Sequence, residues 1–126
     1  MPSTLEVGQK LVSLCRENRN VEAVETLYAP DVVSVEAHGD AHMPRQMEGV
    51  DAIRGKNQWW IDNHTIHSGA AVGLFPHGDR FIVHFKYDVT SKTGPMAGKR
   101  MQMDEAALYT VKDGKIVREE FFYHMG

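Results

Sequence analysis

The chain is poor in the features that mark the more specialised protein classes. It has a single cysteine, Cys15, so no disulfide can close within it, and a reducing compartment is expected. It has no basic surplus: 14 lysines and arginines stand against 17 acidic residues, a formal net charge of -3. That excludes nucleic acid as the main partner, because binding phosphates needs clustered basic charge. No apolar run is long enough to span a bilayer. The start, Met-Pro-Ser-Thr-Leu-Glu, lacks the basic-then-apolar order of a secretory signal. A cytoplasmic protein without a membrane partner is therefore expected. There is no Gly-x-Ser-x-Gly elbow and no glycine-rich phosphate loop, and Cys15 has no evident nucleophile partner. Repeats, low-complexity tracts and linkers are missing as well. At 126 residues, 42% of them hydrophobic, the chain can build one core but not two. A single domain over residues 1–126 is expected.

What is present is clearest in the last third. Phe81 to Val89 alternates apolar with mostly polar residues, the period of a half-buried strand. Met101 to Val111 alternates less regularly, and Lys115 to Tyr123 returns as a further strand. Asp113-Gly114 between them signals a type I′ hairpin, because both central residues need positive φ. Upstream, Ser3 and Glu6 make a capping box for a helix running to Asn18, with Leu5, Leu11, Val12, Leu14 and Cys15 as its apolar stripe. Asn20 is expected to cap a second helix bearing Val21, Val24, Leu27 and Tyr28, which Pro30 ends.

Asp31 to Ala37 reads as a short strand, and His38 to Glu48 as a loop without periodicity. A third helix from Val50 to His64 brings Val50, Ile53, Asn57, Trp60 and Ile61 near helical spacing, with Trp60 toward the core. Thr65 to Phe75 is a strand, Pro76 to Asp79 a turn, and Ser91 to Gly98 a loop. The order is helix, helix, strand, helix, then four strands. It implies an α+β fold, helices on one face of a mostly antiparallel sheet. A twisted sheet of this kind curls around its helices into a cone.

Three segments carry a resemblance: Leu27-Tyr28-Ala29-Pro30-Asp31-Val32-Val33, Gly49-Val50-Asp51-Ala52-Ile53-Arg54-Gly55, and Tyr109 through Asp113-Gly114 to Val117. In this order the chain resembles the nuclear-transport-factor-2-like (NTF2-like) superfamily, and within it the SnoaL-like and ketosteroid-isomerase-like proteins. The resemblance spans nearly the whole chain. It implies a cystatin-like cone with a pocket for a small hydrophobic molecule, no cofactor, and a homodimer through the outer sheet face. The superfamily includes both enzymes and non-catalytic binding modules, so the fold alone does not choose between them.

Glu36 ends the first strand, where the resemblance puts the general-base carboxylate of ketosteroid isomerases. At the mouth of an apolar cone it could exchange a proton near neutral pH. A solvated glutamate at a strand end is the plainer alternative, and both stay open. The isomerase's oxyanion donors would fall near Val12 and Ala107, and neither residue can donate.

Met103, Glu105, Ala107, Tyr109 and Val111 share a strand face, which the resemblance turns inward. Val117, Glu119, Phe121 and Tyr123 share the inward face of the last strand in the same way. Carboxyls in one cavity cannot all ionise cheaply, so one would hold a proton. Glu36 as base and Glu105 as acid are the candidate catalytic pair. Phe81, Val83, Phe85, Trp60 and Phe121 would wall the pocket, and His38, Tyr109, Glu119 and Tyr123 would line it with polar groups. Pairing of Glu105 and Glu119 with Arg100 or Arg118 near a sheet edge is the alternative.

His38 and His42, and His64 and His67, stand at spacings that raise a metal. Zinc needs three or four convergent ligands, which local spacing does not supply, and no metal is assigned. His84, Lys86 and Asp88 fall on the outer face, where Ile82 would leave an uncovered apolar patch unless a second chain covers it. Light scattering at micromolar concentration is expected to find a homodimer; a monomer refutes the outer-face interface.

Overall fold

The structure, a computed structural model, describes residues 1–40 and 43–124. His42 lies outside the described residues. Three helices, α1 (Thr4–Arg16), α2 (Asn20–Leu27) and α3 (Val50–Asn63), pack on one sheet of six strands. The strands are β1 (Tyr28–Val35), β2 (Gln46–Glu48), β3 (His64–His77), β4 (Arg80–Ser91), β5 (Arg100–Lys112) and β6 (Lys115–Phe122). Their spatial order is β2-β1-β6-β5-β4-β3. Only β1 and β6 run parallel; the other pairs are antiparallel.

The capping box at α1 forms as expected. Ser3 Oγ accepts from the Glu6 amide at 3.1 Å, and Glu6 Oε1 accepts from the Ser3 amide at 3.2 Å. Val7, Leu11, Val12 and Leu14 face the sheet, whereas Leu5 points to solvent. A side chain on Gly8 would place its Cβ 2.8 Å from Leu74, so glycine lets α1 come close to β3. The N-cap of α2 is Arg19, without a side-chain cap bond; Asn20 is already helical.

Four boundaries differ from the periodicity reading. β1 begins at Tyr28 and runs through Pro30, because a parallel neighbour takes up its start, Tyr28 opposite Ile116. The His38–Glu48 segment contains β2, three residues paired with β1, too short for periodicity to register. β3 continues through Pro76 and His77 before the chain turns at Gly78-Asp79. On β6, Ile116 pairs with Val111 and Arg118 with Thr110, so Val117 is an extra, bulged residue. Ile116 therefore takes the inward position expected for Val117 and is fully buried. The hairpin at Asp113 and Gly114 has positive φ at both residues, 52° and 76°.

The core lies between the helices and the concave sheet face. Leu11, Leu14, Ile53, Phe81, Val83 and Ile116 are each at most 2% exposed. Fully burying one such side chain contributes roughly 1.5–3 kcal/mol. α1 lies against β3, β4 and β5, and α3 against β1, β2 and β3. α3 thus packs against both edges of the sheet, β2 and β1 on one side and β3 on the other. Among the described residues no helix is long and apolar enough to cross a membrane.

The capping box gives a direct check. Ser3→Ala is expected to lower stability by about 1 kcal/mol, read as a lower urea midpoint with an unchanged slope.

Candidate functional site

Chain alternation brings the polar groups together. Val32, Ser34 and Glu36 follow one another on one side of β1 and just beyond it, and Val32 and Ser34 are buried. Ser34 lies opposite Glu119 in the parallel register, and Glu119 lies opposite Tyr109 on β5. Glu119 is 2% exposed. Its carboxylate accepts from Ser34 Oγ at 2.8 Å and from the Tyr28 hydroxyl. Burial, then the Glu119 charge, push the Tyr28 phenol well above its ordinary pKa, so it stays a donor.

Lys56 enters from α3, one turn beyond the buried Ile53. Its Nζ donates to Ser34 Oγ and to Glu36 Oε1, each at 2.7 Å, and lies 3.6 Å from Glu119 Oε1. It also stands 4.8 Å from the centre of the Phe121 ring. The second oxygen of Glu36 accepts from the Tyr123 hydroxyl at 3.1 Å. Burial and the Glu36 charge raise the Tyr123 phenol above its ordinary value. The His38 ring lies 5.9 Å from that of Tyr123.

Glu105 completes the group from β5, beside Phe85 on β4. Among the described residues nothing donates a hydrogen bond to it. Burial first, and the Glu36 charge second, push its pKa from 4.5 to about 7; Lys56 opposes and Glu119 adds to the rise. The cluster therefore holds Glu36 fixed by an ammonium and a phenol, and Glu105 unpaired and ready to carry a proton at neutral pH.

A family model of the SnoaL-like domain matches residues 2–123. The chain belongs to the SnoaL-like family. A candidate SnoaL-like polyketide cyclase [carbohydrate phosphatase] from Mesorhizobium loti is 38% identical over 97% of this chain and 100% of its own, with a TM-score of 0.89. A nuclear-transport-factor-2-like protein from Burkholderia thailandensis shares the fold at 20% identity and TM-score 0.81, over 98% of this chain and 92% of its own. A candidate polyketide cyclase from Pseudomonas putida does so at 13% identity and TM-score 0.76, over 99% and 94%. No curated protein matches the chain.

Within this SnoaL-like domain the expected residues divide into three groups. Glu36, Glu105, Glu119, Phe121 and Tyr123 come together with His38 at the edge. Phe81, Val83, Phe85 and Tyr109 are at most 4% exposed and form the packed wall behind them. Trp60 lies half-buried at the far end of α3, stacked on His64 with ring centres 3.8 Å apart. Ile61, next to it in sequence, is 40% exposed.

The pairing of Glu105 and Glu119 with arginine does not occur. Arg100 pairs with Asp88 and Arg118 with Glu120, both on the sheet surface. Val12 and Ala107, where oxyanion donors would fall, are buried hydrocarbon. His64 and His67 bind Trp60 O and Thr90 Oγ1, and among the described residues no three His, Cys, Asp or Glu side chains converge on a metal position. Burial and Glu119 raise the Cys15 thiol to about 12, so it is no nucleophile.

Two surface grooves of about 300 and 310 Å³ lie elsewhere, one between α1 and β3 at Arg16 and Leu74, the other between α2 and α3 at Val24 and Arg54. Neither touches the carboxyl cluster.

Sequence reasoning missed Lys56, Ser34 and Tyr28. The signal for Ser34 was its place between Val32 and Glu36 in one alternation. For Lys56 it was the Ile53–Lys56–Trp60 spacing, a helix face on which Asn57 was read instead.

A carboxyl with a raised folded pKa keeps a proton that the unfolded chain has lost. Its contribution to stability is present below about pH 4.5 and is lost as pH rises toward about 7. Glu105→Gln is expected to be more stable than wild type at pH 8, by up to about 3 kcal/mol, and nearly equal to it near pH 4. Urea denaturation at both pH values measures the difference.

Proposed function

We propose that this protein is a cofactor-independent acid/base enzyme acting on a small hydrophobic carbonyl compound, polyketide-like in character. Glu36 is the base, Glu105 the protonated acid, and Tyr123 and His38 are auxiliary hydrogen bonders. One observation carries the reading: two carboxyls of one half-buried cluster stand in opposite environments, Glu36 beside an ammonium and Glu105 without a partner. Environments that separate two titratable groups in this way are how one site performs both acid and base chemistry. The names of the Mesorhizobium loti and Pseudomonas putida relatives point toward polyketides.

The protein is proposed to work in the cytoplasm as a homodimer. Val72, His84, Ala106 and Phe122 stand in one row across β3 to β6. At its two ends Val72 is 43% and Phe122 54% exposed, apolar surface suited to a second copy.

The second reading is a binding module without chemistry. It is favoured by Glu36 and Glu119 both being tied to Lys56.

A thermal-shift screen with small apolar ketones, lactones, acids and epoxides identifies the ligand class. On the turned-over hit, Glu36→Gln and Glu105→Gln are each expected to lower kcat about 10²–10⁴-fold. A hit that both variants bind and that wild type never converts selects the binding module.

A further inference from the structure

Among the described residues Lys56 is the one cation that pairs with carboxylates of this cluster, Arg45 reaching only the main-chain carbonyl of Glu36, and the acid/base assignment gives Lys56 no task. We propose that Lys56 is a catalytic residue: its ammonium receives the negative charge that develops on the ligand's oxygen, exchanging Glu36 for that oxygen as the ligand enters. The inference rests on the acid/base reading above and supplies the oxyanion partner that the reading lacks.

Three observations lead to it. First, abstracting a proton next to a carbonyl leaves charge on oxygen, and stabilising that charge is usually the largest catalytic contribution. The walls near Val12 and Ala107 cannot supply it, being 4% and 0% exposed apolar side chains.

Second, the two carboxylates that hold Lys56 are not equivalent. The Glu119 side chain is 3% exposed and is fixed from behind by Tyr28 and Ser34. The Glu36 side chain is 20% exposed, lies past the end of β1, and has Tyr123, past the end of β6, as its other anchor. Glu36 can therefore leave while Lys56 keeps a counter-ion. Glu119 thus stays behind as the resident counter-ion, while Ser34 keeps its hydrogen bond to the ammonium.

Third, a lysine ammonium is a compact point charge with three rotatable donors. Two of its donors reach Ser34 and Glu36. Handing the second to a ligand oxygen leaves the bond to Ser34 in place.

The exchange couples binding to chemistry. While Lys56 holds Glu36, the base is engaged. Once Lys56 turns to the ligand's oxygen, the Glu36 carboxylate is free to take the proton from the carbon beside the carbonyl. The C–H pair becomes the enolate C=C bond, and the carbonyl π pair moves onto oxygen, facing Lys56. Glu105 then delivers its proton to a carbon of the enolate, the pair returns to form C=O, and Glu105 is left ionised. The proton held by Glu36 restores Glu105 directly or through water, so no oxidant or further reactant enters.

Naphthol tests this without knowledge of the substrate. It is a flat apolar molecule that becomes an oxyanion on losing its proton, and the two forms absorb differently. Wild type is expected to bind it with an ionisation midpoint at least one pH unit below that of the free probe, a tenfold preference for the anion. Glu119→Gln is expected to retain the lowered midpoint. Adding Lys56→Met to that background, so that no buried carboxylate is left facing a missing cation, is expected to return the midpoint to the free value. Lys56→Arg keeps the charge and is expected to keep a lowered midpoint; a free-probe midpoint in folded Lys56→Arg overturns the inference. Naphthol bound by wild type with an unshifted midpoint, or a double variant that shifts it as strongly as Glu119→Gln, overturns the role of Lys56 and leaves the acid/base reading standing. Wild type that binds no naphthol at all overturns the ligand site and this inference together.

Discussion

The carboxylate of Glu119 sits where water does not reach, and every group that touches it donates: the hydroxyls of Tyr28 and Ser34, with the ammonium of Lys56 at 3.6 Å. Moving a carboxylate out of water costs several kcal/mol unless its lone pairs are filled and a counter-charge stands close. Those partners come from the start of β1, the end of β1 and the face of α3. One side chain on β6 therefore constrains how two strands and a helix meet. The parallel pairing of β1 with β6 sets Ser34 beside Glu119. The packing of α3 against β1 brings Lys56 within reach of both.

From that anchor the remaining charges fall into order. Lys56 has one charge to share and takes the nearer Glu36 as its second partner, with Tyr123 steadying the far oxygen. Glu105 arrives from the next strand without a donor of its own, so burial and like charge raise its pKa to about 7 and it can exchange a proton near neutral pH. Three carboxyls at neighbouring positions thus stand in different surroundings, two beside Lys56 and one without a donor. The closed wall of Phe81, Val83 and Tyr109 strengthens this, since a low-dielectric side lets each charge act on the others more strongly than water would.

Membership of the SnoaL-like family accounts for the architecture, and the 38% identity to the Mesorhizobium loti protein extends over the whole domain. The chemistry is a separate matter, because folds of this kind host unrelated activities and function resides in the site. Here the local sequence is what is particular. Hydrocarbon occupies the places near Val12 and Ala107, and a lysine stands between two glutamates on the other wall. The outer face is built on other terms, with exposed Val72 and Phe122 at the two ends of a row that His84 and Ala106 complete, and a His84–Asp104 contact at 3.1 Å.

Sequence by itself determined whatever depends on neighbours along the chain. The Ser3–Glu6 capping box, the Asp113-Gly114 hairpin and the alternation of β4 are local preferences, and tertiary packing had no reason to oppose them. The same period set which residues share a face with Glu105 and which with Glu119 and Phe121, and the family resemblance turned those faces inward. Packing decided what depends on residues far apart. β2 exists because β1 offers it an edge, β1 starts early because β6 takes up its first residue, and the bulge at Val117 moves Ile116 into the core by shifting one register. It also decided the partners of Glu119. Arg118 is next to it in sequence yet points to the surface, while Lys56 meets it because a helix and a strand converge. A buried charge takes its partner from whatever side chain the fold brings alongside, and spacing along the chain does not encode that meeting.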